Sequence, residues 1–147
     1  MEDILREKGL SANSLQILNG DYSIESGYEL TKGLLESGKS NPKGKLPFTA
    51  IFTSNDLMAI GAIRALKQNG IAVPGQVEVI GFDDIELARL VEPPLSTISQ
   101  PALEMGAQSA GLLLQLIAGK KPRPKTLTLT TKLVLRGTTQ AITEAIT

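Results

Sequence analysis

The sequence predicts a mixed α/β fold on a mostly parallel sheet, and three observations predict it. Apolar stretches of strand length alternate with stretches in which apolar residues recur every three or four positions, the pattern of strands joined by crossover helices. Glycine and proline fall where one element must stop before the next begins. The length, 147 residues, is that of one domain, which buries roughly two-thirds of the surface its unfolded chain exposes.

In chain order, a helical stub carries Ile4 and Leu5 and closes at Gly9, because glycine past a helix end takes the left-handed conformation without a Cβ penalty. Residues 15–18 read as a short strand. From 23 to about 36, residues Ile24, Tyr28, Thr31, Leu34 and Leu35 recur at helical spacing behind Ser23 as N-cap. Residues 37–47, rich in glycine, proline and lysine, read as a surface loop, and 48–53 as a buried strand. A helix opens at Ser54 or Asn55 and runs to about Asn69, turning Leu57, Ile60, Ala62, Ile63 and Leu66 inward before Gly70.

The turn Val73-Pro74-Gly75 leads to a strand at 77–80. A short helix after Asp84 is ended by Pro93 and Pro94, and 96–99 is extended. A further helix, entered through Pro101 and running from about Ala102 to Ala118, presents Leu103, Ala107, Ala110, Leu113, Leu114 and Ile117 and closes at Gly119. A basic, proline-rich linker at 120–125 precedes apolar alternations at 126–130 and 132–136, and a tail follows.

Composition removes several functions. There is no cysteine, histidine or tryptophan, so disulfides, thiolate nucleophiles, imidazole bases and histidine-ligated metals are excluded. Lys+Arg number 15 and Asp+Glu 15, a formal net charge of zero, without the basic clustering that counterion release from nucleic acid requires. The start is charged at Glu2, Asp3, Arg6, Glu7 and Lys8 where an export signal needs an apolar core, and no apolar run approaches a membrane span. A soluble, cytoplasmic protein without membrane contact is expected.

In an open parallel sheet, ligands bind beyond the carboxyl ends of the strands. Four polar clusters fall there: Asn19-Gly20-Asp21-Tyr22, Ser54-Asn55-Asp56, Phe82-Asp83-Asp84 and Ser99-Gln100. Carboxylates and amides beside an aromatic face suit a neutral polyhydroxyl ligand, whose hydroxyls donate and accept while its apolar face lies on the ring. Simpler roles compete at each position. Asn55, Ser54, Asp21 and Ser23 suit helix caps, Asp83 and Asp84 suit a turn, and Tyr22 suits packing on a neighbouring helix. No glycine-rich nucleotide or phosphate loop is present.

Specific strings then decide more than periodicity. Ser54-Asn55-Asp56-Leu57-Met58-Ala59-Ile60-Gly61, Val73-Pro74, Val79-Ile80-Gly81-Phe82-Asp83-Asp84 and Pro93-Pro94-Leu95-Ser96-Thr97-Ile98 occur in that order. With Gly20-Asp21-Tyr22, Ser26-Gly27-Tyr28 and Leu133-Val134-Leu135-Arg136-Gly137-Thr138-Thr139, the chain closely resembles the C-terminal part of the effector-binding core of the lactose and galactose repressor (LacI/GalR) family. The resemblance implies a three-layer, parallel-sheet subdomain of the class I periplasmic-binding-protein-like fold. It also implies a small effector, a sugar or a nucleobase, that modulates operator binding by a helix-turn-helix headpiece outside this chain.

Carried over by position, the resemblance implies effector contacts at Tyr22 (stacking), Asn55 and Asp83 (polar contacts) and Gln100 (near the crossover). It implies a homodimer or higher oligomer, with Ile60 and Val91 at the interface, no cofactor, no metal and no catalysis. Residues 1–99 would be the C-terminal subdomain, 100–131 a helix and strand of the N-terminal subdomain, 132–139 a return strand and 140–147 a tail. Without its usual sheet, the helix at 102–118 is expected to bury its apolar face elsewhere, on a second chain for example. Two alternatives stand beside this reading. One is a periplasmic-type sugar-binding protein of the same fold. The other is an oxygen-ligand metal enzyme using Asp21, Asp56, Asp83 and Asp84, whose chemistry would rest on carboxylates and metal-bound water alone.

Overall fold

Three parallel strands and one antiparallel strand make the sheet that positions the site. The computed structural model describes residues 2–9, 11, 15–38, 46, 48–121 and 126–140. Its elements are α1 (Glu2–Glu7), α2 (Ile24–Gly38), β1 (Ala50–Phe52), α3 (Asp56–Gln68), β2 (Glu78–Asp83), α4 (Leu87–Leu90), β3 (Ser96–Ser99), α5 (Ala102–Ile117) and β4 (Lys132–Val134). The strand order is β1-β2-β3-β4. β2 runs parallel to both neighbours, Ile51 facing Val79 and Phe82 facing Ile98, and β4 returns antiparallel with Leu133 facing Ile98. The mixed, mostly parallel architecture agrees with the fold class that the alternating patterns predict.

Helix α3 lies on the sheet and α2 lies on α3. The core between them comprises Leu35 of α2, Ala59, Ile63 and Leu66 of α3, Val77 and Val79 leading into and along β2, and Ala88 and Leu95. Burial of the alternate residues Val77, Val79 and Gly81 follows the two-residue period of a strand with one face covered. Two glycines set the distance between the helices. A Cβ on Gly27 would overlap the Met58 backbone carbonyl, and one on Gly61 would overlap the carbonyl oxygen of Ile24. Glycine is needed at both places because backbone meets backbone.

Local chemistry bounds the elements where the sequence places them. Asn55 caps α3 through its side chain, which accepts the Met58 amide, and Gly9, Gly70 and Gly119 all take positive φ past helix ends. Ser23 accepts the Ser26 amide at 3.0 Å, as its N-cap role requires.

Four expectations are corrected. Residues 15–18 form no strand, and Ile17 is 70% exposed; a strand is made by a partner's hydrogen bonds, and this segment joins no ladder among the described residues. Residues 126–130 are likewise in no ladder. The stretch 48–53 yields only the three-residue β1, with Phe52 53% exposed rather than buried, because β1 is the first strand of the sheet, paired on one side only. Helix α2 also runs on to Gly38, beyond the expected end. Most of the 37–47 loop, positions 122–125 of the basic linker and 141–147 of the tail lie outside the described residues.

Helix α5 forms as its period predicts, but none of its residues is buried and Leu103 is 91% exposed. Leu112 is half-buried and shares a pocket with Leu127 and Leu129, but Leu113, Leu114 and Ile117 stay exposed among the described residues.

Candidate functional site at the strand carboxyl ends

Because β1, β2 and β3 are parallel, the segments that follow them share one edge of the sheet. Asn55 follows β1, Asp83 ends β2, and Gln100 follows β3. The register sets Asp83 beside Ser99, so Gln100 comes within reach of Asp83 and donates from Nε2 to Oδ1 at 2.6 Å.

Tyr22 joins this edge from the loop before α2. The Asn55 side chain does two things at once: Oδ1 accepts the Met58 amide at 2.9 Å and Nδ2 donates to the Tyr22 carbonyl at 2.9 Å. Cap and tether are therefore one side chain, so the simple capping role of Asn55 does not take it away from Tyr22. The structure thus gathers the four expected residues into two pairs, Tyr22 with Asn55 and Asp83 with Gln100. Ile60 and Val91 lie elsewhere, partly buried against the core.

Backbone strain concentrates at the same residues. Tyr22 has φ 68°, Asp83 φ 114° and Asp84 φ 61°, values that non-glycine residues adopt at a cost of about 1–3 kcal/mol each and that cluster at functional sites. Tyr22 as a whole is 63% exposed, which does not fit a side chain packed away on a neighbouring helix. Among the described residues, Asp83 Oδ2, the Gln100 side-chain Oε1 and one Asn55 side-chain N–H have no protein partner, whereas the Gln100 backbone carbonyl accepts the Ala102 amide at 2.9 Å. Acceptors, a donor and an aromatic residue are open on one edge.

The neighbouring carboxylates are engaged by the protein itself. Asp84 pairs with Arg136, side chains 10% and 15% exposed, and with the more exposed Arg89 at 3.5 Å. Burial pushes Asp84 upward, but the hydrogen bond and charge of Arg136, aided by Ser99 and Arg89, outweigh it and hold the carboxyl below its usual range. Arg136 also donates from its guanidinium to the Leu95 carbonyl and from its amide to Ser96 Oγ. Thr138 continues the seam, its hydroxyl donating to the Val79 carbonyl at 2.7 Å and accepting the Ser96 amide at 2.8 Å. The Arg136-Gly137-Thr138-Thr139 string thus fastens the return segment to β2 and β3 beside the site. Sequence reasoning found that string only as a motif, because its partner Asp84 lies 52 positions away. Replacing Arg136 by methionine is expected to cost about 3 kcal/mol, since it leaves Asp84 without its buried cation; an unchanged urea midpoint would contradict this.

Asp21 accepts the hydroxyl and the amide of Ser23. These bonds, the hydroxyl's first, hold the carboxyl down to about 2 from the ordinary 3.8. A depressed folded-state value means that the folded chain favours the charged form, so the stability it adds is complete above the ordinary value and is lost as pH falls toward 2. Asp21→Asn should therefore flatten the fall of melting temperature with acidification in that window, and an unchanged acid limb would contradict the assignment.

Asp56 is fully buried in the first turn of α3. Burial raises its carboxyl above the usual range; the hydrogen bonds from Thr97 and the Ile85 amide pull the other way, and the charge of Asp83 adds to the rise. With Asp21, Asp56 and Asp84 committed in these ways, the four aspartates do not converge on an ion, and among the described residues no group of three potential ligands gathers to hold a metal.

A mostly parallel α/β unit whose polar groups gather at the strand ends, with no imidazole or thiol among them, has the build of a ligand-binding module. The model of the periplasmic binding protein-like domain family matches residues 1–139. The HTH-type transcriptional regulator GalR of Streptococcus thermophilus is 40% identical over 134 residues, 91% of this chain and 38% of that protein. Among solved structures, a sugar-binding LacI-family regulator from Escherichia coli complexed with phosphate is 40% identical, with a TM-score of 0.77 over 93% of this chain and 46% of that one. The CelR–cellobiose complex, also a transcriptional regulator, is 31% identical with a TM-score of 0.81, over 93% of this chain and 40% of that one.

The chain belongs to the periplasmic binding protein-like domain family, in the form found in the effector-binding cores of LacI-family transcriptional regulators. It spans less than half the length of each of these relatives. They are regulators and not enzymes, which disfavours both the metal-enzyme and the transport-protein alternatives. No helix among the described residues is long and apolar enough to cross a membrane.

Proposed function

We propose that this chain senses a small neutral effector for a cytoplasmic LacI-family regulator, with Tyr22, Asn55, Asp83 and Gln100 forming one wall of the effector cleft. The observation that carries this reading is the gathering of these residues at one sheet edge with open donors, acceptors and an exposed tyrosine. A sugar is the first candidate: Asp83 and Gln100 accept from hydroxyls, the free Asn55 N–H donates, and the Tyr22 ring covers the apolar face. The relative whose structure holds cellobiose supports this class. A nucleobase uses the same valences through its ring nitrogens.

Residues 1–99 and 132–139 belong to this wall's subdomain, and 100–131 to the opposing one. The exposure of the α5 side chains Leu103, Leu113, Leu114 and Ile117 supports that division, because an amphipathic helix needs a partner surface. DNA is reached through a headpiece outside this chain, and the protein acts as a dimer with Ile60 and Val91 near the interface.

Titration calorimetry of the full-length protein against cellobiose, ribose, lactose, adenine and hypoxanthine tests the reading. Saturable binding of one probe, weakened about tenfold by Tyr22→Ala through loss of stacking area, is expected. Binding that Tyr22→Ala leaves unchanged would remove this edge from the cleft.

A further inference from the structure

Among the described residues, Asp56 is a buried carboxylate, of zero solvent exposure, with no cation beside it. An exposed first-turn aspartate would serve the helix dipole without desolvation, so its burial calls for a reason.

The reason lies in what its two oxygens join. Asp56 follows Asn55 directly and so belongs to the segment after β1. Oδ2 accepts the Ile85 amide at 2.9 Å, in the turn that leaves β2 through its last residue, Asp83, and Asp84. Oδ1 accepts the hydroxyl of Thr97, on β3 and three residues before Gln100. The fit is close enough that a Cβ on Gly81 of β2 would overlap Oδ1 and press Leu95. One carboxylate therefore ties together the three strand-end segments that bear Asn55, Asp83 and Gln100.

The turn it holds needs holding. Asp83 and Asp84 sit at φ 114° and 61°, conformations that persist only where the surroundings over-determine them. Arg136 fixes Asp84 from one side, and the Ile85 amide bonded to Asp56 closes the turn from the other.

We propose that Asp56 is a positioning residue of the effector site, its buried carboxylate setting Asn55, Asp83 and Gln100 in their working arrangement without touching the effector. This rests on the site reading above. The geometric part is separable, because it concerns the turn and is measurable without a ligand.

The test compares Asp56→Ala, Asp56→Asn and Thr97→Val in the full-length protein by amide hydrogen exchange at Ile85 and by calorimetry with the sugar and nucleobase panel. Asparagine accepts from Ile85 through Oδ1 and donates to Thr97 Oγ1 through Nδ2, so it should keep exchange and affinity within about threefold of the unaltered protein. Alanine, below its own melting temperature, should speed Ile85 exchange about tenfold relative to Val79 and Ile80 and weaken binding about tenfold. Thr97→Val drops one bond and keeps the other, so a loss between these two is expected, and it carries the test if the alanine variant does not fold. Unchanged Ile85 exchange in a folded alanine variant, or unchanged affinity in a folded alanine or valine variant, overturns the proposal. If the unaltered protein binds no probe, the site reading fails. Ile85 exchange then decides alone: about tenfold faster upholds the positioning of the turn, and no change overturns it.

Discussion

Gly61→Val is expected to unfold the chain or bring it close to unfolding, with a loss of about 3 kcal/mol or more from a total stability typically of about 5–15 kcal/mol. The Cβ would overlap the Ile24 carbonyl oxygen and press on the Tyr28 amide. These are backbone atoms, so no rotamer change relieves the clash and one helix must move as a body. Helix α3 cannot yield, because Ala59, Ala62, Ile63, Ala65 and Leu66 are buried against the sheet and α2. Helix α2 would lift instead, exposing Thr31 and Leu35 and pulling on the Asn55 tether to Tyr22. A Cβ on Gly33, also in α2, meets nothing within 4 Å, so Gly33→Ala should stabilise by up to about 1 kcal/mol through helix propensity. Urea denaturation of the two variants side by side checks the pair. A Gly61→Val midpoint equal to the parent's would show that the helices have room the structure denies them.

Asp83→Ala is expected to weaken effector binding by about ten- to a hundredfold while changing stability little. A hydrogen bond to a charged group contributes about 1.5–3 kcal/mol, and each 1.4 kcal/mol is tenfold in affinity. Asp83 is only half-buried and, among the described residues, its side chain bonds only to Gln100, so the fold does not depend on it. Its removal takes the acceptor at Oδ2 and frees the Gln100 amide that Oδ1 orients. Asp83→Asn keeps the shape and one acceptor and should lose less. Calorimetry with whichever panel member binds, beside a melting curve for each variant, separates affinity from folding. An alanine variant with parental affinity would take Asp83 out of the site.

What the sequence disclosed and what it concealed divide along the reach of the interactions. The Asn55 cap and the positive-φ glycines at 9, 70 and 119 are decided by neighbours within a few residues, and each was legible. The strand ends could be read as a polar edge because alternating strand and helix periods fix a parallel sheet. The strand expected at 15–18 failed for the converse reason: apolar side chains make a strand possible, and only a partner makes one.

Asp56 reads in sequence as an ordinary acidic first-turn residue. Only Thr97 and Ile85, 41 and 29 positions away, reveal it as a buried junction. The contact of Gly27 and Gly61 with facing backbone was equally hidden, since a small residue on a helix announces no neighbour. The four site residues were brought forward by topology and then by family resemblance. Their pairing by Asn55 with Tyr22 and by Asp83 with Gln100 belongs to the tertiary structure alone.

The central claim, that an effector meets the protein at the carboxyl ends of β1, β2 and β3, is tested most directly by titrating the binding sugar or nucleobase into isotopically labelled full-length protein and following amide resonances. The amides of Tyr22, Asn55, Asp83 and Gln100 are predicted to shift first and to saturate together. Saturable shifts confined to α1 or the outer face of α5, with those four unmoved, would contradict it.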